Sequence, residues 1–160
     1  MRQRRVSYHT SRFAGALPLK SPLPRDRLLS NRVNATLVVE EKRTSTRLIK
    51  DLFRRLGFTE VHTAHSPEDA LRMLRERKFG LVLADWDLSG LSFLRAVKTD
   101  EKLRRTPVVI TAAHLTCEQV VLARRTGADA LILKPFLVSA LRSKIEEIAI
   151  NRTQPHFTSA

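Results

Sequence analysis

An α/β fold built on a five-stranded parallel sheet is the architecture this sequence predicts, and three observations predict it. From residue 36 onward, short apolar runs alternate with amphipathic segments about five times. The run Gly80-Leu81-Val82-Leu83-Ala84 contains no polar residue, as expected of a strand buried on both faces of a sheet. Each run is followed by a helical segment in place of a tight hairpin turn, and parallel neighbours need such right-handed crossovers.

The first strand is Thr36-Leu37-Val38-Val39. After it, Leu48, Ile49, Leu52, Phe53 and Leu56 fall at helical spacing, and Gly57 stands where a helix C-cap belongs. Val61 marks a short second strand. The next helix opens with Ser66-Pro67-Glu68-Asp69, a hydroxyl cap, a proline at the first helical position and acids near the positive end of the dipole; its apolar face is Ala70, Leu71, Met73 and Leu74. The third strand, Gly80 to Ala84, ends at Asp85 and precedes a helix around Leu91 to Lys98. A basic turn ending at Thr106 leads to the fourth strand, Pro107 to Thr111. Thr116-Cys117-Glu118-Gln119 reads as a capping box and Gly127 closes that helix. Ala130-Leu131-Ile132-Leu133 is the fifth strand, and a helix carrying Leu137, Leu141, Ile145 and Ile148 completes the fold.

Composition narrows the class. A chain of 160 residues with 42% hydrophobic content is about one domain and long enough to bury a core. No apolar run approaches the roughly 18 residues needed to cross a bilayer, so membrane insertion is not expected. The single cysteine, Cys117, allows no internal disulfide, and His9, His62, His65, His114 and His156 show no metal-ligand spacing. A reducing, cytoplasmic setting is the default expectation.

The net charge is +13, and its distribution matters. Residues 1–35 carry eight Lys/Arg and one acid, whereas residues 36–150 carry twenty and fifteen. The first stretch, with Pro18, Pro22 and Pro24 and no periodicity, reads as a basic, disordered arm, and residues 151–160 as a flexible tail. Arg43, Arg47, Lys50 and Arg54 form a stripe along the first helix, and Arg104-Arg105 and Arg124-Arg125 add pairs. Aromatic content is 6%, so the basic residues are not interleaved with stacking rings; nonspecific nucleic-acid contact by the arm is the most this pattern supports.

In a parallel sheet the carboxyl ends of the strands are where function is expected. Glu40 and Glu41 follow the first strand, Asp85 the third, Thr111 closes the fourth, and Lys134 follows the fifth, just before Pro135. Three carboxylates, a hydroxyl and an ammonium on one edge suit phosphoryl transfer assisted by a hard divalent ion such as Mg²⁺. Asp85 is the candidate nucleophile, with Lys134 and the Thr111 hydroxyl neutralising and hydrogen-bonding the phosphoryl oxygens.

Leu37-Val38-Val39-Glu40-Glu41, Asp85-Trp86-Asp87, Val109-Ile110-Thr111-Ala112, Gly127-Ala128 and Lys134-Pro135-Phe136 occur in the order in which response regulator receiver domains carry their motifs. The segment 36–150, about 115 residues, therefore resembles that family of two-component signalling. The resemblance implies a doubly wound, flavodoxin-like sheet with strand order 2-1-3-4-5. It implies Asp85 as phosphoacceptor, Glu40 and Glu41 as Mg²⁺ carboxylates, the Asp87 backbone carbonyl as a further ligand, Thr111 and Lys134 as switch hydroxyl and phosphate-sensing lysine, and a cis bond before Pro135. The implied partners are a sensor histidine kinase or histidine phosphotransfer protein as phosphodonor and a downstream protein target, with a homodimer also allowed. The implied role is a stand-alone signalling receiver and not an enzyme.

The sequence departs from the family at three places. Both members of the acid pair are Glu, the loop Asp85-Trp86-Asp87-Leu88-Ser89-Gly90 is about three residues short, and Leu131 stands where a switch aromatic is usual. These changes keep open a degenerate receiver that binds proteins without phosphate. Asp85-Trp86-Asp87 also resembles the Asp-x-Asp motif of haloacid dehalogenase phosphatases. Against that reading, the only acids after Lys134 are Glu146 and Glu147, inside the last helix.

Overall fold

The computed structural model describes residues 35–87 and 89–153. Ten elements alternate along the chain: β1 (Ala35–Val39), α1 (Arg43–Arg55), β2 (Glu60–Ala64), α2 (Pro67–Glu76), β3 (Leu81–Asp85), α3 (Gly90–Thr99), β4 (Val108–Ala112), α4 (Cys117–Thr126), β5 (Ala130–Leu133) and α5 (Val138–Thr153). All five strands are parallel in the order β2-β1-β3-β4-β5, the doubly wound arrangement expected from the sequence.

Period-two alternation divides the core between the two faces of the sheet. Leu37 and Val39 of β1, Val82 and Ala84 of β3, and Val108 and Ile110 of β4 pack with Ala70 and Leu74 of α2 and Phe93, Leu94 and Val97 of α3. Val38, Leu81, Leu83 and Val109 face the other way, onto Ile49 and Phe53 of α1 and Leu141, Ile145 and Ile148 of α5. Helices cover β3 and β4 on both faces, so these strands are buried along their whole length and are apolar except for Asp85 and Thr111 near their carboxyl ends.

Local signals set the element ends. Ser66 accepts the Asp69 backbone N–H at 3.1 Å with Pro67 as the first residue of α2. Thr116 and Gln119 complete a reciprocal capping box at α4, with bonds of 3.2 and 2.9 Å. Gly57 and Gly127 follow α1 and α4 at φ +92° and +109°, the left-handed conformation that glycine adopts without steric cost.

Several expectations need adjustment. Leu48 and Leu137, expected on buried helical faces, are 67% and 74% exposed. In α1 the buried stripe is Thr46, Ile49 and Phe53, spaced by three and four, and Leu48 lies one position off it. Leu137 precedes the first residue of α5 and so is not on its inward face. Strand β1 begins at Ala35, β4 is shifted by one residue to Val108–Ala112, and α5 continues through Thr153. The arm expected over residues 1–35 otherwise lies outside the described residues, as does the tail beyond Thr153. Among the described residues, no helix is long and apolar enough to cross a membrane.

Candidate functional site

Neighbouring strands run out together at their carboxyl ends, so residues distant in sequence meet there. Asp85, the last residue of β3, is the register partner of Thr111 in β4. Glu40 follows β1, the strand on the other side of β3, and its backbone N–H donates to the Ala64 carbonyl of β2 at 3.0 Å. Lys134 follows β5, anchored by its backbone N–H to the Ala112 carbonyl at 2.7 Å. The Lys134–Pro135 peptide is cis, as the family resemblance implied.

The Lys134 ammonium ties the site together, donating to Glu40 Oε2 at 2.7 Å and to Asp85 Oδ1 at 2.8 Å. Both carboxylates are buried, Glu40 to 2% exposure and Asp85 to 8%. Two negative charges share one positive, so the cluster retains a net negative charge in a poorly hydrated place. Burial pushes the Asp85 carboxyl above its ordinary range; the Lys134 bond and charge pull it down, and Glu40 and Asp87 push it up again. Burial also works against the Lys134 ammonium, but its bonds to Asp85 and Glu40 prevail and its pKa is raised.

The Thr111 hydroxyl is buried, and its contact is a long 3.5 Å approach to the Ala84 carbonyl. At that length the hydroxyl is barely engaged and available to another acceptor. Glu41 and Asp87 are both exposed beside this buried set. Among the described residues, no group of three His, Cys, Asp or Glu side chains is gathered in a metal-holding arrangement. Magnesium does not require three, since it is usually held by one or two carboxylates and keeps several waters. Two buried carboxylates with one cation between them, and a carboxyl of raised pKa, are a donor set that a hard divalent ion fits.

Two supporting residues were not legible from spacing. His65 Nδ1 lies 2.8 Å from the Glu40 carbonyl, and the Thr46 hydroxyl donates to the carbonyls of Lys42 at 3.0 Å and Glu40 at 3.4 Å. With the Lys42 N–H on Glu40 Oε1 at 3.1 Å, these contacts fix the chain where it leaves β1. His65 has no nearby partner in sequence; the signal is only its place just after β2, the strand beside β1.

The turn after Asp85 is tight. The Trp86 N–H donates to the Thr111 carbonyl at 2.7 Å and the Gly90 N–H to the Trp86 carbonyl at 2.9 Å. A Cβ at position 90 would stand 2.7 Å from the Asp85 carbonyl oxygen, closer than real contacts allow, so glycine permits the approach. Ser89 adopts a left-handed conformation at φ 53° without being glycine, a backbone position uncommon for a residue with a side chain. Leu131 is half-buried and packs against the core face shared by α2 and α3.

Residues 36–146 match the response regulator receiver domain family. The chain is similar to the chemotaxis protein CheY of Pseudomonas aeruginosa, 36% identical over 115 residues that span 70% of this chain and 93% of that protein. It is likewise similar to CheY-3 of Vibrio cholerae, at 33% identity over 115 residues, 70% of this chain and 88% of the other. Among solved structures, the fold resembles a Vibrio cholerae chemotaxis CheY protein, with TM-score 0.67 and 20% identity over 73% of this chain and 99% of that one. It also resembles the receiver domain of a Pseudomonas aeruginosa sensor histidine kinase described with a magnesium ion coordinated in its active-site cleft, with TM-score 0.66 and 21% identity over 74% and 98% of the two chains.

Proposed function

The chain belongs to the response regulator receiver family, and on that premise we propose that it accepts a phosphoryl group on Asp85 and signals by docking to another protein. The observation that carries this reading is the single ammonium of Lys134 bridging buried Glu40 and Asp85, with Thr111 in register beside them. The phosphodonor is a phosphohistidine on a sensor kinase or phosphotransfer protein. An Asp85 carboxylate oxygen attacks phosphorus, the phosphorus–nitrogen bond breaks, and its electrons leave with the donor imidazole; the product is an acyl phosphate. Lys134 donates to a phosphoryl oxygen from its place between the carboxylates, and the loosely held Thr111 hydroxyl turns to a second.

Glu40, Asp85 and the Asp87 backbone carbonyl are the groups that would hold Mg²⁺, with Glu41 at the rim adding negative charge; the ion would supply charge neutralisation at phosphorus and offset the repulsion that the neighbouring acids exert on the Asp85 carboxylate. The acyl phosphate biases the domain between two surface arrangements that a downstream protein distinguishes. A soluble signalling module in the cytoplasm accounts for all of these properties, with no turnover of a free substrate.

Intact-protein mass spectrometry after incubation with Mg²⁺ and acetyl phosphate tests the reading. A gain of one phosphoryl group that is absent from Asp85→Asn is expected. An adduct persisting in that variant moves the acceptor elsewhere. A folded wild-type protein that gains no mass favours the degenerate receiver, a reading motivated by Leu131, which has no ring to swing in response to Thr111.

A further inference from the structure

The strong positive charge of this chain plays no part in phosphoryl transfer, and the fold gathers much of it at the end of the sheet away from Asp85. Helices in a doubly wound sheet run opposite to the strands, so every helix ends at the rim where the strands begin. All five carry a base in the last turn: Arg54 and Arg55, Arg75, Lys98, Arg124 and Arg125, and Arg152. Bases there complement the helix dipoles, but Arg75, Lys98 and Arg152 are paired with Asp100 and Asp129, so the surplus positive charge of this rim rests on the bases that have no acid partner.

That rim is concave. A cleft of about 1210 Å³ opens along it, lined by the strand starts Ala35, Thr36 and Leu81 and by six cationic side chains against three carboxylates. Three of the six are already engaged: Arg75 with Asp100, Arg77 with Glu60, and Arg152 with Asp129. The other three, Lys78, Lys102 and Arg105, are exposed, and among the described residues their side chains have no partner. Residues 1–34, with eight further bases and one acid, join the structure at Ala35, on the wall of the same cleft.

We infer that this cleft binds the phosphate backbone of single-stranded nucleic acid, with Lys78, Lys102 and Arg105 contacting successive phosphates. Unpaired cations lining one groove supply the sequence-independent phosphate contacts that hold a polyanionic strand, without the base stacking that an aromatic content of 6% does not provide. A planar anionic bilayer would meet the lips of the concavity and leave the residues inside it unsatisfied. The site is independent of Asp85, so a failure of either reading leaves the other standing.

Fluorescence anisotropy of the full chain with a labelled 20-nucleotide single strand, titrated across a salt series, tests the inference. Binding should weaken steeply with salt, and the triple variant Lys78→Ala/Lys102→Ala/Arg105→Ala should bind about tenfold more weakly with a log–log salt slope shallower by about 2. A charge-matched triple variant on α1, Arg43→Ala/Arg47→Ala/Lys50→Ala, should retain most of the affinity; circular dichroism establishes that both variants fold. Equal binding by wild type and the first variant overturns the proposal, as does equal weakening in the two variants. Tighter association with vesicles of phosphatidylglycerol than with the strand, at matched phosphate and salt, also overturns it.

Discussion

The two ends of the sheet each hold a cluster of charge, buried at the carboxyl end and half-buried at the amino end, built in opposite proportions. At the carboxyl end, two carboxylates, Glu40 and Asp85, share the one ammonium of Lys134. At the amino end, the carboxylate of Asp129 receives Lys98 at 2.9 Å, Arg152 at 3.0 Å and the Val108 backbone N–H at 2.8 Å. Lys98 also reaches the Thr106 carbonyl at 2.9 Å, so this cluster ties the loop before β4 to the ends of α3 and α5. Burial opposes ionisation at both Asp85 and Asp129. At Asp129 the three donors outweigh it and the pKa is lowered, whereas at Asp85 burial and neighbouring acids win and it is raised. The contacts at Asp129 therefore favour its charged form and those at Asp85 disfavour it, and the disfavoured one is the candidate reactive group.

This contrast breaks most visibly at Asp129. Asp129→Ala leaves Lys98, 14% exposed, without its counter-charge and should cost about 3 kcal/mol in urea denaturation. A loss below about 1 kcal/mol would mean that solvent replaces the partner and the amino-end cluster is no lock. Next in size is Gly90→Ala, whose Cβ must displace the turn carrying the Asp85 carbonyl; a loss of about 2 kcal/mol is expected, with phosphoryl uptake also reduced.

Asp85→Asn should act in the opposite direction to Asp129→Ala, raising stability by about 1 kcal/mol, or about 3 °C in Tm, at neutral pH. The pH dependence separates the two aspartates. A lowered folded pKa means that the Asp129 contribution is complete above the ordinary carboxyl range and is lost as pH falls through and below about 4. A raised folded pKa means that the Asp85 penalty is absent in acid and grows as pH rises above that range. Wild type and Asp85→Asn should therefore converge in stability near pH 3 and diverge toward pH 7; a constant difference would assign the gain to packing. The smallest effect is expected at Ser89→Gly, where relief of the left-handed conformation should exceed the added chain entropy by about 0.5 kcal/mol.

Much of the carboxyl-end cluster was legible because a parallel sheet turns sequence position into place. Asp85, Thr111 and Lys134 each sit at or just after the end of an apolar run, and parallel register alone brings those ends to one rim. Glu40 and Glu41 were harder to separate. Adjacent residues beyond a strand differ in burial according to how the chain leaves it, and only the contacts of Glu40 with Lys134, Lys42 and Ala64 show which one turns inward. The Asp129 cluster was not legible at all, because its donors come from α3, β4 and α5 with no common spacing. Helical periodicity likewise left Leu48 ambiguous, since one step around a helix moves a side chain about 100° and the stripe it borders is narrow.

The backbone hydrogen bond that joins the residue after Asp85 to the fourth strand has an optical consequence. Trp86 is the sole tryptophan of the chain, half-buried against the core, and its backbone N–H is fixed to the carbonyl of Thr111. Its backbone therefore adjoins both the candidate acceptor, one residue before it, and the candidate switch residue. An emission spectrum of the unlabelled protein reports on that one location, and a change on phosphoryl uptake that is absent from Asp85→Asn is the expected signature of coupling between them.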